Sequence, residues 1–262
     1  MRTALPITLL LLQLCSCGPA TNEAPATPDP TERLPEGLRP VFTAHGGLEN
    51  WRAYRQLSYA MPREAGAETQ LIDLRDRRER ITQPGGEGQE AVDIGYDGNE
   101  LWITADTSYR GNPAFYKNLM FYFYAMPWVL ADPGIHYRPA DTLTVDGQPY
   151  PGYFISYDDG VGYSPKDNYR IHYDPTSHQM QWLGYTVTGR SGQASDKFSW
   201  IKYPTWTDHG GVQLPDSLVW YTTEDNLPGA PRNVRHFTRV ELRTAAPDSS
   251  RFARPPGARV VE

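Results

Sequence analysis

The sequence predicts a mainly β fold (α+β), an antiparallel meander with few helices, on three observations. Short apolar runs separated by turn residues recur from Leu57 to Leu242. Asp-Gly pairs sit between several of them, the strongest short-range hairpin signal. Aromatic residues make up 12% of the chain, and Tyr 17 against Phe 8 suits half-buried strands better than a helical bundle. With 262 residues and 39% hydrophobic content the chain can bury a large core, which excludes disorder of the whole. A net charge of −6 supplies no basic field for a phosphate backbone, so nucleic acid is not an expected partner.

The first residues read as an export address. Arg2 precedes an apolar run, Ala4 to Leu14, too short to span a bilayer. The run stops at Leu14-Cys15-Ser16-Cys17, which resembles the bacterial lipobox, whose cysteine is acylated before cleavage. This gives a lipoprotein signal peptide over 1–16 and lipid attachment at Cys17, the alternative being an ordinary secretory signal cut nearby. Both cysteines lie here, so no disulfide is expected in the folded domain. Residues 17–36 carry Pro19, Pro25, Pro28, Pro30 and Pro35 among Thr, Ala and acidic residues, the composition of an extended tether. A single domain is expected over 37–262.

Within it, Leu38, Val41, Phe42 and His45 fall at helical spacing before a stop at Gly46-Gly47. Leu48, Trp51 and Tyr54 suggest another turn or two. Strands are then expected around Leu71–Leu74, Val92–Tyr96, Leu101–Thr104, Thr142–Val145, Tyr153–Ile155, Tyr169–Tyr173, Met180–Thr188, Phe198–Tyr203, Ser217–Thr223 and Val234–Leu242. Asp97-Gly98 and Asp146-Gly147 mark two hairpin turns. The interruption is Pro113 to Leu130, apolar nearly all round apart from Lys117 and Asn118, read as one longer helix near 114–130 against the inner face of the sheet. Leu119, Met120, Phe123 and Met126 follow one side of that helix and are the expected ligand-binding residues. The two methionines adapt to variable apolar partners.

Four segments carry a family resemblance: Ala44-His45-Gly46-Gly47-Leu48-Glu49-Asn50-Trp51; Gly95-Tyr96-Asp97-Gly98-Asn99-Glu100-Leu101-Trp102-Ile103; Tyr169-Arg170-Ile171-His172-Tyr173-Asp174-Pro175; and Gly211-Val212-Gln213-Leu214-Pro215. In order and spacing they resemble the LolA-like superfamily of lipoprotein-sorting and lipid-carrier proteins, particularly its lipid-anchored members. The resemblance implies a strongly curved antiparallel sheet, a half-barrel, with helices covering a concave face that receives acyl chains. An anchor at Cys17 distinguishes this chain from a soluble carrier, which must leave the membrane.

Catalytic chemistry finds no motif. Gly189-Arg190-Ser191-Gly192 lacks the spacing of a nucleophile elbow. His172 and His178 straddle a turn without a third zinc ligand, and Asp158, Asp159 and Asp167 lack the pattern of a calcium loop. Arg75, Arg77, Arg78 and Arg80 interleave with acids as on an exposed strand or turn, where Arg77, Arg78 or Arg80 could meet a lipid headgroup. The expectation is therefore a non-catalytic envelope lipoprotein that binds lipid or acyl chains, with no cofactor and no metal. Its membrane contact is the N-terminal acyl anchor, at the outer rather than the inner membrane because Gly18-Pro19, not an acid, follows Cys17. A periplasmic hydrolase and a scaffold binding an envelope protein partner are the alternatives.

Overall fold

A computed structural model describes residues 33–88, 90–106, 109–159, 166–188 and 192–261. Cys17, the signal segment and nearly all of the tether lie outside them. The described chain starts with a 3₁₀ turn (Glu36–Leu38), α1 (Arg39–Ala44) and α2 (Leu48–Ala53). Pro40 opens α1, where its missing N–H costs nothing. Gly46 ends it at φ 109°, with a Cβ position only 1.9 Å from the Gly211 carbonyl oxygen, so no other residue fits. Leu34 is already buried in the core, ahead of the expected boundary at Gly37.

Strands β1 (Gln56–Arg63), β2 (Gly66–Asp73), β3 (Glu79–Gln83), β4 (Val92–Tyr96) and β5 (Leu101–Ile103) follow as a meander. After the helical interruption come β6 (Ile135–Val145), β7 (Gln148–Tyr157), β8 (Tyr169–Tyr173), β9 (Met180–Tyr185) and β10 (Ser199–Lys202). The chain closes with β11 (Trp206–Asp208), β12 (Gln213–Pro215), β13 (Ser217–Glu224), β14 (Leu227–His236), β15 (Thr238–Arg243) and β16 (Arg259–Val260). Both Asp-Gly turns are present: Asp146 and Gly147 take φ 51° and 78°, the two left-handed residues of a tight hairpin turn between β6 and β7.

Among the described residues the strands form three antiparallel sheets and no closed barrel, in place of the one curved sheet expected. The first has the order β15-β1-β2-β3-β4-β5-β16, the second β14-β13-β10-β9-β8-β7-β6, and β11-β12 is a separate pair. The expected strand Val234–Leu242 is two strands in different sheets. The chain crosses between them at Phe237, which is buried and stacks on Tyr124 at 4.0 Å. One apolar cluster joins Leu57, Tyr59, Met61 and Ile72 of the first sheet to Ile155, Ile171, Leu183, Ile201 and Leu218 of the second.

The 114–130 helix is also corrected. The segment makes α3 (Pro113–Tyr116), α4 (Leu119–Tyr124) and a 3₁₀ turn (Trp128–Ala131). Lys117 is extended at ψ 126° and Asn118 left-handed at φ 60°, a conformation Asn tolerates far better than a branched side chain. The break turns the Asn118 N–H away from a helical partner and toward Glu79.

Candidate functional site

The helical interruption is built to enter the core. Asn112 caps α3 by accepting from the Phe115 N–H at 3.0 Å, and Pro113 occupies the first helical position. In α4, Tyr203 Oη donates to the Phe123 carbonyl at 2.7 Å, tying the helix to the end of β10. Met120, Phe121, Phe123, Tyr124, Ala125 and Met126 belong to the apolar cluster shared by both large sheets. Of the four expected ligand residues, Met126 is fully buried, Phe123 and Met120 are 5% and 7% exposed, and Leu119 is half-buried. Phe123 packs against Tyr185 at 4.9 Å and Trp220 at 6.1 Å. The two openings described below are lined by none of the four.

Beside this apolar segment lies a buried polar group invisible in the sequence pattern. Tyr59 of β1, Glu68 and Gln70 of β2, and Glu79 and Gln83 of β3 share the face turned toward α3, as the register Tyr59↔Gln70, Gln70↔Ile81 and Ile72↔Glu79 requires. Glu68 is fully buried and takes donors from Arg63, from Tyr116 Oη at 2.7 Å, from Gln70 Nε2 at 2.8 Å and from Gln83 Nε2 at 3.3 Å. Tyr59 donates to Gln70, completing a chain of hydrogen bonds from β1 to α3.

Glu79 is the exception in this network. Its Oε2 accepts from the Asn118 N–H at 2.6 Å, while Oε1 is buried without a partner among the described residues, as is Asn118 Oδ1. Burial pushes the Glu79 carboxyl up to about 8, against the opposing pull of the Asn118 N–H and of Lys117. Near neutrality it is therefore mostly the neutral acid, a donor as well as an acceptor. Lys117 lies with Nζ 3.6 Å from the Tyr96 ring centre, and burial lowers its ammonium pKa.

At the end of β2 the acid-and-arginine run folds around one carboxylate. Asp73, fully buried, accepts from the N–H groups of Arg75 at 3.0 Å and Asp76 at 3.4 Å and from Arg78 Nη2 at 2.6 Å. Burial pushes its carboxyl up, but these hydrogen bonds and the Arg78 charge outweigh it and hold the pKa below the usual value. Of the three arginines weighed for a headgroup, Arg78 is thus committed to Asp73 and Arg80 to Asp93 at 2.6 Å, the ion pairing that the mixed charges of the run suggest. Arg77 instead lines an opening of about 440 Å³ with Arg52, Arg75, Trp51, Trp128 and Asp132. A second opening, about 340 Å³, lies on the opposite face of the first sheet between Ser58, Thr69, Thr82, Arg80, Arg239 and Arg251.

The remaining sequence candidates are dispersed. His172 is buried with Nδ1 3.1 Å from the Tyr150 carbonyl oxygen, and desolvation lowers its pKa to about 4. His178 stacks on Tyr173 at 6.2 Å. No group of three His, Cys, Asp or Glu side chains able to hold a metal ion occurs among the described residues. Asp158 pairs with His136 at 2.6 Å, and Asp167 Oδ1 accepts from the Thr188 N–H at 2.6 Å. Gly189, Arg190 and Ser191 lie outside the described residues.

Two large antiparallel sheets around one apolar core, with a broken helical segment packed into that core, define the class: an α+β protein with a buried carboxyl network beside its apolar core. The fold has a solved counterpart in the LolA superfamily. The chain is similar to a LolA superfamily protein from Nitrosomonas europaea with a TM-score of 0.51 at 11% identity, over 82% of this chain and 96% of that one. A DUF1329 family protein from Desulfovibrio piger is similar at a TM-score of 0.45 and 9% identity, over 82% of this chain and 93% of that one. No family model matches the chain, and no curated protein matches it. At these identities the likeness is one of fold. No helix among the described residues is long and apolar enough to cross a membrane.

Proposed function

We propose that the protein is an exported lipoprotein of the cell envelope, anchored through acyl chains on Cys17, whose domain binds lipid or acyl chains without catalysis. The observation that carries this reading is the way the interior is filled. The space between the large sheets is taken up by a chain segment that enters as two short helices and a 3₁₀ turn, broken at Lys117-Asn118, and not by strand side chains alone. Hydrophobic contact is non-directional, so an acyl chain can replace the contacts of Leu119, Met120, Phe123 and Met126 as that segment shifts. Each methylene contributes about 0.8 kcal/mol whatever its place in the chain, which favours binding with little discrimination of length. The LolA-superfamily fold supports the same reading, as do the lipobox and the proline-rich stretch behind it. The absence of an acid after Cys17 favours the outer membrane.

Native mass spectrometry of the gently extracted full chain tests the proposal, together with metabolic labelling by a palmitate analogue. A co-purifying lipid mass is expected, with label on the native chain and none on Cys17→Ala. No retained lipid and no uptake of a fluorescent fatty acid would overturn the binding role, and equal labelling of the two chains would overturn the anchor.

A further inference from the structure

We propose that the opening between α2, the turn joining β2 to β3 and the turn after Trp128 is a site for a phosphate group, and that it seats the headgroup of the bound lipid. This deepens the lipid-binding reading and, for the headgroup, rests on it. Three guanidinium groups, Arg52, Arg75 and Arg77, line the opening against a single carboxylate, Asp132, in a chain whose net charge is −6. A volume of about 440 Å³ lies within the range of small-molecule sites, roughly 300–1,000 Å³.

The arginines are held in place by the fold. The Asp73-centred turn sets Arg77 at φ 58°, a conformation a branched or bulky residue seldom adopts. Its Nη2 donates to Asp132 at 2.7 and 2.9 Å, and Nη1 is buried with no acceptor among the described residues. Arg75, exposed, reaches across the opening to donate to the Arg52 carbonyl at 2.6 Å. Trp128, stacked on Trp51 at 5.6 Å with rings 9° from parallel, likewise has a buried indole N–H without an acceptor. Buried donors normally have partners, and leaving one unpaired costs about 1–3 kcal/mol. A phosphate in the opening gives the arginines that line it acceptors in the forked geometry guanidinium groups favour, and a small turn of Arg77 and Trp128 brings their unpaired N–H groups to it.

The position also fits an amphiphile. The Arg77 guanidinium lies 4.9 Å from the ring centre of Phe121, which is in the apolar cluster. A phosphate at Arg77 therefore stands next to the region that would take the acyl chain.

The test is calorimetric titration of the full chain carrying Cys17→Ser, which removes the acylation site. The probes are inorganic phosphate and dihexanoyl phosphatidylglycerol below its micelle concentration. Saturable binding of the phospholipid is expected, weakened at least tenfold by Arg75→Gln and by Trp128→Phe, and unchanged by Arg232→Gln, a charge control on β14. Arg75 is exposed, so its variant keeps the core intact, as thermal unfolding will verify. Inorganic phosphate bound as tightly as the phospholipid, with the same variant pattern, would support the site and assign it to free phosphate. No binding of either probe, or equal binding to wild type and Arg75→Gln, would overturn it. Uptake of a pyrene-labelled long-chain alcohol reads the acyl site separately. Alcohol uptake without phosphate binding sinks only this inference, and phosphate binding without alcohol uptake sinks only the acyl reading.

Discussion

Replacing Glu79 by Gln should remove a pH dependence of stability that the wild type carries. In the folded chain the carboxyl titrates at about 8, and in the unfolded chain at its ordinary 4.5. The folded state therefore binds the extra proton between these values, so the stability this confers is fully present below about 4.5 and is lost as pH rises to about 8. The slope is roughly 1.4 kcal/mol per pH unit. His45 and His172, both lowered from 6.5 to about 4 by desolvation, and His209, lowered by the same cause, act in the opposite direction, mainly below pH 6.5 with a tail above it. From pH 6.5 to 8.5 Glu79 alone takes away about 2 kcal/mol, of which the tail of the histidine titration gives part back, so the quantity to read is the difference between wild type and Glu79→Gln, expected to change by about 2 kcal/mol. Glu79→Gln keeps the size and an acceptor for the Asn118 N–H, cannot ionise, and should show only the slight rise of the histidines there. Urea unfolding of both forms at four pH values, with the dependence on denaturant held constant, gives the comparison. Parallel slopes in the two proteins would refute the claim that a buried neutral carboxyl sits against α4.

Two further outcomes test the scaffold. Asp73→Asn should cost about 3–5 kcal/mol, because Arg78 then loses its buried partner, and it should also disorder the Arg75–Arg77 turn; urea unfolding and hydrogen exchange at residues 74–78 measure both effects. Gly95→Ala places a methyl group 2.1 Å from the Trp102 ring across the β4–β5 pair, so a loss of about 1–3 kcal/mol is expected with a shift in tryptophan emission; an unchanged melt would mean the indole packs elsewhere.

Strand positions were legible because their signals are local. Asp146-Gly147 announces a turn by its own conformational freedom, and Tyr169 to Tyr173 declares a strand by composition alone. The division into two sheets was not legible, since nothing near Phe237 says that the strands on either side of it pair with different partners, β13 and β1. The single helix over 114–130 failed for a similar reason: the apolar run outweighed one Asn, whose left-handed backbone is stabilised from β3 through Glu79 and not from within the segment. Leu119, Met120, Phe123 and Met126 could be assigned to one helix face but not to core or groove, because periodicity cannot say what faces a helix. The polar network was hidden outright. Glu68-Thr69-Gln70 alternates as an exposed strand edge would, yet its charged side faces inward, where Arg63 and Tyr116 await it. In the arginine run the mixed charges were visible, and the burial of Asp73 that organises them was not.

Under the proposed export, the strand order has a consequence for a chain that emerges amino terminus first. β1 lies between β2 and β15, and Thr238 Oγ1 donates to the Ala60 carbonyl across 178 positions of sequence. β5 obtains its outer neighbour only from β16, and Trp102 of β5 donates its indole N–H to the Phe252 carbonyl at 2.9 Å. Until those last segments emerge, the meander β1–β5 has both flanks open, and open strand flanks recruit other chains. The early half of the protein must then be kept from its neighbours while it waits for the late half, so on the proposed export the interval between the emergence of β1 and of β16 is a window in which a holding factor of the envelope, or simply fast translocation, would determine yield.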